Sequence, residues 1–319
     1  MGRELPLEDS PFKLDQHGPV FILGCPRSGT TFLSECLAAV RGVEEFVGVL
    51  CPPRICHLLA CEDRGDREAA LLAGIRDVFW NAFWHRRYSR AERAVQVLRG
   101  RMSIGTALRS PTLDGVLFCY KEPFLCFAAE KFARHFSAAR FVHIVRDGRD
   151  NADSLERTYP HALSDSTVTS DFLSSNKNSE IGLWEKLDGV NVPWWVPAAD
   201  APRFGGLSRY ERCVLMWREM TRRARAGGRH FPDRYFELRY EDLVREPVRW
   251  GKALMAFLGR EYDRWVHRAF MQAFAGSVAI AQRNQDPQRL RNAETIAGLL
   301  LRELGYDLTG PPQIPFAEC

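Results

Sequence analysis

The chain has 319 residues, 45% hydrophobic and 26% charged, with a formal net charge of +4. That length can bury a large core in one elaborated domain or two, and the charge is too small to argue for nucleic acid as a partner. No apolar run approaches the roughly 20 residues of a membrane span, no fixed-period repeat points to a solenoid, and nine cysteines without disulfide or zinc spacing fit a reducing cytoplasm.

Residues 1–18 read as an N-terminal arm without a signal-peptide core, and residues 19–319 as a single α/β domain. Val20, Phe21, Ile22 and Leu23 form a short apolar run of the kind found in a buried parallel strand, and residues 24–29 supply turn chemistry after it. A helix is expected to begin near Ser28 or Gly29, with Leu33, Leu37 and Val40 on its apolar face. Strand, glycine-bounded turn and helix N-terminus make an anion site, because unpaired backbone N–H groups and the positive end of the helix dipole converge there. Gly24 and Gly29 keep the spacing of a nucleotide-triphosphate loop, but Thr30 stands where that loop requires lysine. Arg27 is the one cation inside the turn, and a guanidinium forks onto two oxygens of a phosphate or sulfate. Cys25 as the nucleophile of a thiolate phosphatase fails, since no arginine closes the loop behind it.

Residues 41–49 read as a second strand with Glu44 and Glu45 near its start, and residues 53–109 as helices. Over 66–84 the apolar face is Leu71, Leu72, Ile75, Val78, Phe79, Ala82 and Phe83. Cys51, Cys56, His57 and Cys61 cluster in sequence, but their steps match no common metal motif. Residues 115–120 are a third buried strand, running into Lys121, Glu122 and Pro123 and then a helix over 124–136. Ligands in an open parallel sheet sit beyond the carboxyl ends of the strands, which places Lys121 and Glu122 where chemistry happens. Residues 140–145 are a fourth strand, after which Asp147 or Asp150 can cap a helix that carries Ser154 two turns along. Residues 159–206 are polar, aperiodic and interrupted by Trp184, Trp194 and Trp195. They read as an acceptor-binding insertion whose tryptophans either wall a pocket or pin the loop to the core. A helix over 208–225, a strand over 234–240, and helices over 249–258 and 289–304 complete the chain.

The segment Pro26-Arg27-Ser28-Gly29-Thr30-Thr31 resembles the 5′-phosphosulfate loop of sulfotransferases that use 3′-phosphoadenosine 5′-phosphosulfate, in the arginine-bearing form of tyrosylprotein and many bacterial members. Three further stretches are similar in the same order: Lys121-Glu122-Pro123 to a Lys-x-Pro element, Arg146 and Ser154 to the pair that holds the nucleotide's 3′-phosphate, and the octet that begins Tyr240-Glu241-Asp242-Leu243 to a YEDL segment. Residues 277–286 loosely resemble a tail loop that closes over the nucleotide in the tyrosylprotein branch, with Arg283 in it. The resemblance implies a P-loop-like three-layer fold, a central parallel sheet flanked by helices. It also implies in-line transfer of a sulfuryl group to a hydroxyl-bearing acceptor without a metal, Arg27 and Lys121 neutralising charge while Arg27, Ser28, Gly29, Thr30, Thr31, Arg146, Ser154, Tyr240 and Arg283 bind the donor.

Some relatives carry a Golgi anchor, and this chain is expected to lack one. A glutamate soon after the first helix serves as general base in the tyrosylprotein and heparan branches, so the order of candidates is Glu45, Glu44, then Glu122. The acceptor stays open among carbohydrate, lipid, phenol, peptide tyrosine and secondary metabolite, and oligomeric state leaves no mark on the sequence. The competing readings are a P-loop kinase, which the missing loop lysine opposes, and a nucleotide-binding module without activity.

Overall fold

Five parallel strands organise the structure, a computed structural model that describes residues 14–47, 50–61, 65–99, 104–108, 115–169, 184–273, 276, 278–279 and 286–308. The first half runs β1 (Val20–Leu23), α1 (Thr30–Ala38), β2 (Val43–Val47), α2 (Pro53–Ala60), α3 (Asp66–Tyr88), α4 (Arg90–Leu98), α5 (Ile104–Leu108), β3 (Leu117–Lys121), α6 (Ala129–His135), β4 (Arg140–Val145) and α7 (Gly148–Thr158). The second runs α8 (Asp165–Thr169), β5 (Trp184–Leu187), β6 (Val190–Pro193), α9 (Ala201–Phe204), α10 (Arg209–Gly228), β7 (Tyr235–Arg239), α11 (Tyr240–Arg245), α12 (Pro247–Leu258), α13 (Arg264–Phe270) and α14 (Pro287–Glu303). The sheet order is β2-β3-β1-β4-β7, so β1 is central and its carboxyl end opens between those of β3 and β4.

The strands are apolar on both faces because helices cover both, as parallel sheets require. On one face Phe21, Phe118, Tyr120 and Phe141 meet Phe79 and Phe83 of α3 and Phe132 of α6, with Phe21 and Phe132 edge to face at 5.2 Å. On the other, Val20, Ile22, Val142 and Ile144 pack on Leu33 and Leu37 of α1 and on Leu254, Met255 and Leu258 of α12. Each such side chain contributes about 1.5–3 kcal/mol by leaving water. In α3 the inward residues are Leu72, Ile75, Phe79 and Phe83, while Val78 is 44% exposed, one residue outside the buried stripe.

Two expectations change in detail. The helix expected over 124–136 is split into a 3-10 turn, Pro123–Phe127, and α6, because the backbone leaves helical geometry at Ala128, where φ is −123° and ψ 7°. The insertion at 159–206 is more regular than its composition suggests: α8, the antiparallel β5–β6 hairpin and α9 lie within it, whereas residues 170–183 fall outside the described set. Trp195 is pinned in the core beside Phe204.

α10 begins with a reciprocal capping box, Ser208 Oγ accepting from Glu211 N at 3.3 Å and Glu211 Oε2 from Ser208 N at 2.7 Å. Its buried Trp217 lies so close to the start of α7 that a Cβ on Gly148 would sit 2.4 Å from the indole. Glycine is therefore what lets the start of α7 pack directly on α10.

Candidate active site

The turn after β1 closes through Ser28 N donating to Cys25 O at 3.0 Å. Gly29 caps α1 with φ 99° and no side chain takes the cap bond, which leaves the first N–H groups of the helix for an anion. A Cβ at Gly29 would meet the Tyr240 ring at 2.6 Å, so Tyr240 floors the loop and glycine is obligatory above it. Cys25 is buried, and burial pushes its thiol well above the ordinary range, which removes it as a thiolate nucleophile.

Arg27 sits at φ 72°, a left-handed conformation that is costly for a residue with a Cβ. Its Nε donates to Ser154 Oγ at 3.2 Å, across 127 residues, and no hydrogen bond among the described residues uses Nη1 or Nη2. Arg146, at the end of β4, donates from Nη1 to the Arg27 carbonyl at 3.1 Å and lies 5.5 Å from the Tyr240 ring. The two arginines and the serine are thus brought together at the carboxyl ends of β1 and β4. Asp147, not Asp150, caps α7, accepting from Arg149 N at 2.9 Å.

Sequence reasoning missed what holds this corner. Asn151 Nδ2 donates to Pro26 O and to Ser28 Oγ, both at 2.9 Å. Its signal was present: Asn151 lies three residues before Ser154 and so shares its helical face. Asp147 is gripped by Arg149 through Nε and Nη2 at 3.0 and 2.7 Å, and Arg149 Nη1 reaches Glu294 of α14 at 2.8 Å. Glu241 Oε1 accepts from Asp147 N, and its Oε2 from Tyr306 Oη, each at 2.8 Å. The resembling YEDL segment therefore buttresses the β4–α7 turn.

On the β3 side, Lys121 Nζ donates to Thr31 Oγ1 at 3.1 Å. Burial lowers the Lys121 pKa, opposed by Glu122, Glu45 and Glu35 and reinforced by Arg27. Glu122, 6% exposed, accepts from Phe124 N at 3.1 Å. Burial pushes its carboxyl up to about 7, against the pull of that bond and of Lys121. Beside this segment the Trp194 ring lies 4.7 Å from His57 of α2 in a tilted contact and meets Phe127 edge-on at 4.8 Å.

The other two carboxylates stand differently. Alternation along β2 sends Glu44 and Glu45 to opposite faces of the sheet. Glu44 lies on the α3 face, paired with Arg87 Nη1 at 2.8 Å, and is not brought to the loop. Glu45 lies on the α1 face and accepts from Ser34 Oγ, level with Cys119 and so two residues short of the strand end at Lys121. Arg283 lies outside the described residues. Among the described residues no group of three or more His, Cys, Asp or Glu is placed to hold a metal ion, and no helix is long and apolar enough to cross a membrane.

The chain is similar to protein-tyrosine sulfotransferase 1 of Danio rerio, at 24% identity over 280 residues that make up 86% of this chain and 62% of that protein. It thus spans about 62% of the length of that curated relative. Among solved structures it is similar to sulfotransferase STF9 from Mycobacterium avium, with a TM-score of 0.47, 15% identity and coverage of 96% of this chain and 80% of that one. It is also similar to the sulfotransferase domain of the Synechococcus PCC 7002 olefin synthase, with a TM-score of 0.45, 20% identity and coverage of 91% and 95%. The sequence model of the Sulfotransferase family matches residues 19–186 and 198–264, which take in the first loop, the Lys121 segment, the Arg146–Ser154 element and Tyr240, and the chain belongs to that family.

Proposed function

We propose that the protein transfers the sulfuryl group of 3′-phosphoadenosine 5′-phosphosulfate to the hydroxyl of an acceptor. The observation that carries this reading is the junction of the two anion elements: Arg27 Nε on Ser154 Oγ at 3.2 Å and Arg146 Nη1 on the Arg27 carbonyl at 3.1 Å. A donor with phosphate groups at both ends of one nucleoside suits two adjacent cationic corners better than a triphosphate does. The donor set fits such a substrate, since it consists of guanidinium, ammonium, hydroxyl and helix N–H groups. In this reading Arg27 and the backbone of residues 28–31 hold the 5′-phosphosulfate, Arg146 and Ser154 the 3′-phosphate, and Tyr240 supports the loop from beneath, with Arg283 the residue to test in the tail.

The acceptor oxygen attacks sulfur in line, the bond from sulfur to the bridging oxygen breaks, and 3′-phosphoadenosine 5′-phosphate leaves. Arg27 and Lys121 neutralise the charge that grows on the bridging oxygen. The acceptor's proton passes to a carboxylate, and Glu122 is favoured over Glu45 and Glu44. It stands at the strand's carboxyl end with a pKa near 7, where a base is both deprotonated and strong enough, while Glu45 accepts from Ser34 inside the strand and Glu44 is paired on the far face.

The eight described cysteines are free thiols, which supports the cytoplasm as the compartment. Calorimetry with 3′-phosphoadenosine 5′-phosphate and with ATP separates this reading from a kinase. A radiolabelled sulfate transfer assay over alcohols, phenols, sugars and tyrosine peptides separates it from an inactive module. Tighter binding of ATP, or no transfer to any acceptor, overturns it.

A further inference from the structure

Arg27 poses a physical problem that its neighbours answer. A left-handed arginine is strained and persists only where the surroundings over-determine it. Its two flanking peptide groups are each held from the β4–α7 side: the Pro26 carbonyl by Asn151 Nδ2 at 2.9 Å, the Arg27 carbonyl by Arg146 Nη1 at 3.1 Å. Asn151 is fully buried in the interior of α7, where asparagine is a poor helix former, so helix propensity does not explain it. A carbonyl only accepts, which fixes the amide with its NH2 towards the loop. The second hydrogen of that NH2 goes to Ser28 Oγ at 2.9 Å, so the Ser28 hydroxyl proton is turned away from α7 and left to donate elsewhere. Asn151 Oδ1 is buried with no partner among the described residues, an arrangement that wastes half of the amide if fold stability were its purpose.

The geometry points to Asn151 as a positioning residue: by pinning Pro26 and Ser28 it holds Arg27 in the left-handed conformation that aims the guanidinium at the donor, and it ties the 5′ loop to the helix that carries Ser154. This rests on the proposed sulfuryl-transfer reading. It adds to that reading that the two half-sites are mechanically one, so that damage at Asn151 acts through Arg27. Removing the amide releases the loop; replacing it by a carboxylate of the same size removes both donors and adds a charge that repels the bound anion.

The test is a double-mutant cycle between Asn151→Ala and Arg27→Ala in the full chain, read as the Kd for 3′-phosphoadenosine 5′-phosphate and as kcat, with thermal unfolding measured alongside. In the wild-type background Asn151→Ala is expected to weaken nucleotide binding and lower kcat by roughly ten- to a hundredfold, as misplacement of a reacting group does, with the acceptor KM unchanged. In the Arg27→Ala background the same substitution is expected to change both by less than about twofold. Asn151→Asp is expected to be worse than Asn151→Ala. Equal losses in both backgrounds, a loss that follows the melting temperature alone, or wild-type binding by Asn151→Ala overturns the inference and leaves the sulfotransferase reading standing. Failure of the wild-type protein to bind the nucleotide removes the reading and the inference together. If Asn151→Ala does not fold, Asn151→Ser, polar but too short to reach the Pro26 carbonyl, takes its place in the same cycle.

Discussion

The carboxyl edge of the sheet is built on two kinds of physics. Around β1 and β4 polar atoms are locked to one another: Arg27 to Ser154, Arg146 to the Arg27 carbonyl, Asn151 to Pro26 and Ser28, and Asp147 to Arg149 and Glu241. Around β3 the walls are aromatic and the Glu122 carboxyl is raised by burial. The contrast teaches that the first half is pre-organised by hydrogen bonds, as the proposed polyanionic donor requires, whereas the second combines apolar walls with one carboxyl raised by burial, as the proposed acceptor chemistry requires. Hydrogen-bonded rigidity suits a constant donor. An apolar wall beside a carboxyl near neutrality suits an acceptor that must lose a proton during attack.

Substitutions divide along the same line. Glu122→Gln should have the largest effect, lowering kcat by roughly 10²- to 10⁴-fold while leaving the Kd for 3′-phosphoadenosine 5′-phosphate within about twofold. Wild-type turnover should rise with pH through about 7, and the variant should lose that rise. Stability should move in the opposite sense. The folded carboxyl holds its proton from the ordinary range near 4.5 up to about 7, so the wild-type protein loses stability as pH rises through that window. Glu122→Gln should therefore unfold later than wild type at pH 8, by up to about 3 kcal/mol, and alike below pH 4.5. A variant with unchanged kcat would move the base elsewhere and undo the contrast.

Arg27→Ala comes next, with a loss of roughly 10²- to 10³-fold in kcat that acceptor concentration does not rescue, since a charge-stabilising donor is removed. Calorimetry should show weaker nucleotide binding with it. Trp194→Ala should do the reverse, raising acceptor KM by about two- to tenfold with the nucleotide Kd unchanged; a shift in nucleotide affinity instead would mean that the two halves are not separate. Smallest should be Glu44→Gln, which breaks a partly buried pair with Arg87 on the far face: about 1 kcal/mol of stability and less than twofold in turnover, read by melting and initial rates.

What the sequence made legible was local. Gly24, Arg27 and Gly29 write a turn, and Arg146 and Ser154 are spaced by one cap and two helical turns, so the turn and the capped helix could both be read without knowing what they touch. Glu44 and Glu45 could be placed near the start of a strand, but which of them meets α1 depends on packing. The proposed order of base candidates, Glu122 before Glu45 and Glu44, departs from the order expected of the sequence for a similar reason. Glu122 gains its raised pKa from burial, which no local pattern records. Asp147 and Glu241 are 94 residues apart, and Glu241 and Tyr306 are 65, so the buttress behind the β4–α7 turn is written only in three dimensions.

The central claim is that Arg146 and Ser154 hold one phosphate of the nucleotide while Arg27 holds the other. Calorimetric titration of wild type and Arg146→Ala with 3′-phosphoadenosine 5′-phosphate and with adenosine 5′-phosphate tests it most directly. In the wild-type protein, deletion of the 3′-phosphate should weaken binding by at least tenfold, and in Arg146→Ala by less than about threefold, because the partner of that group is gone. An equal penalty in both proteins, or none in the wild type, would contradict the account.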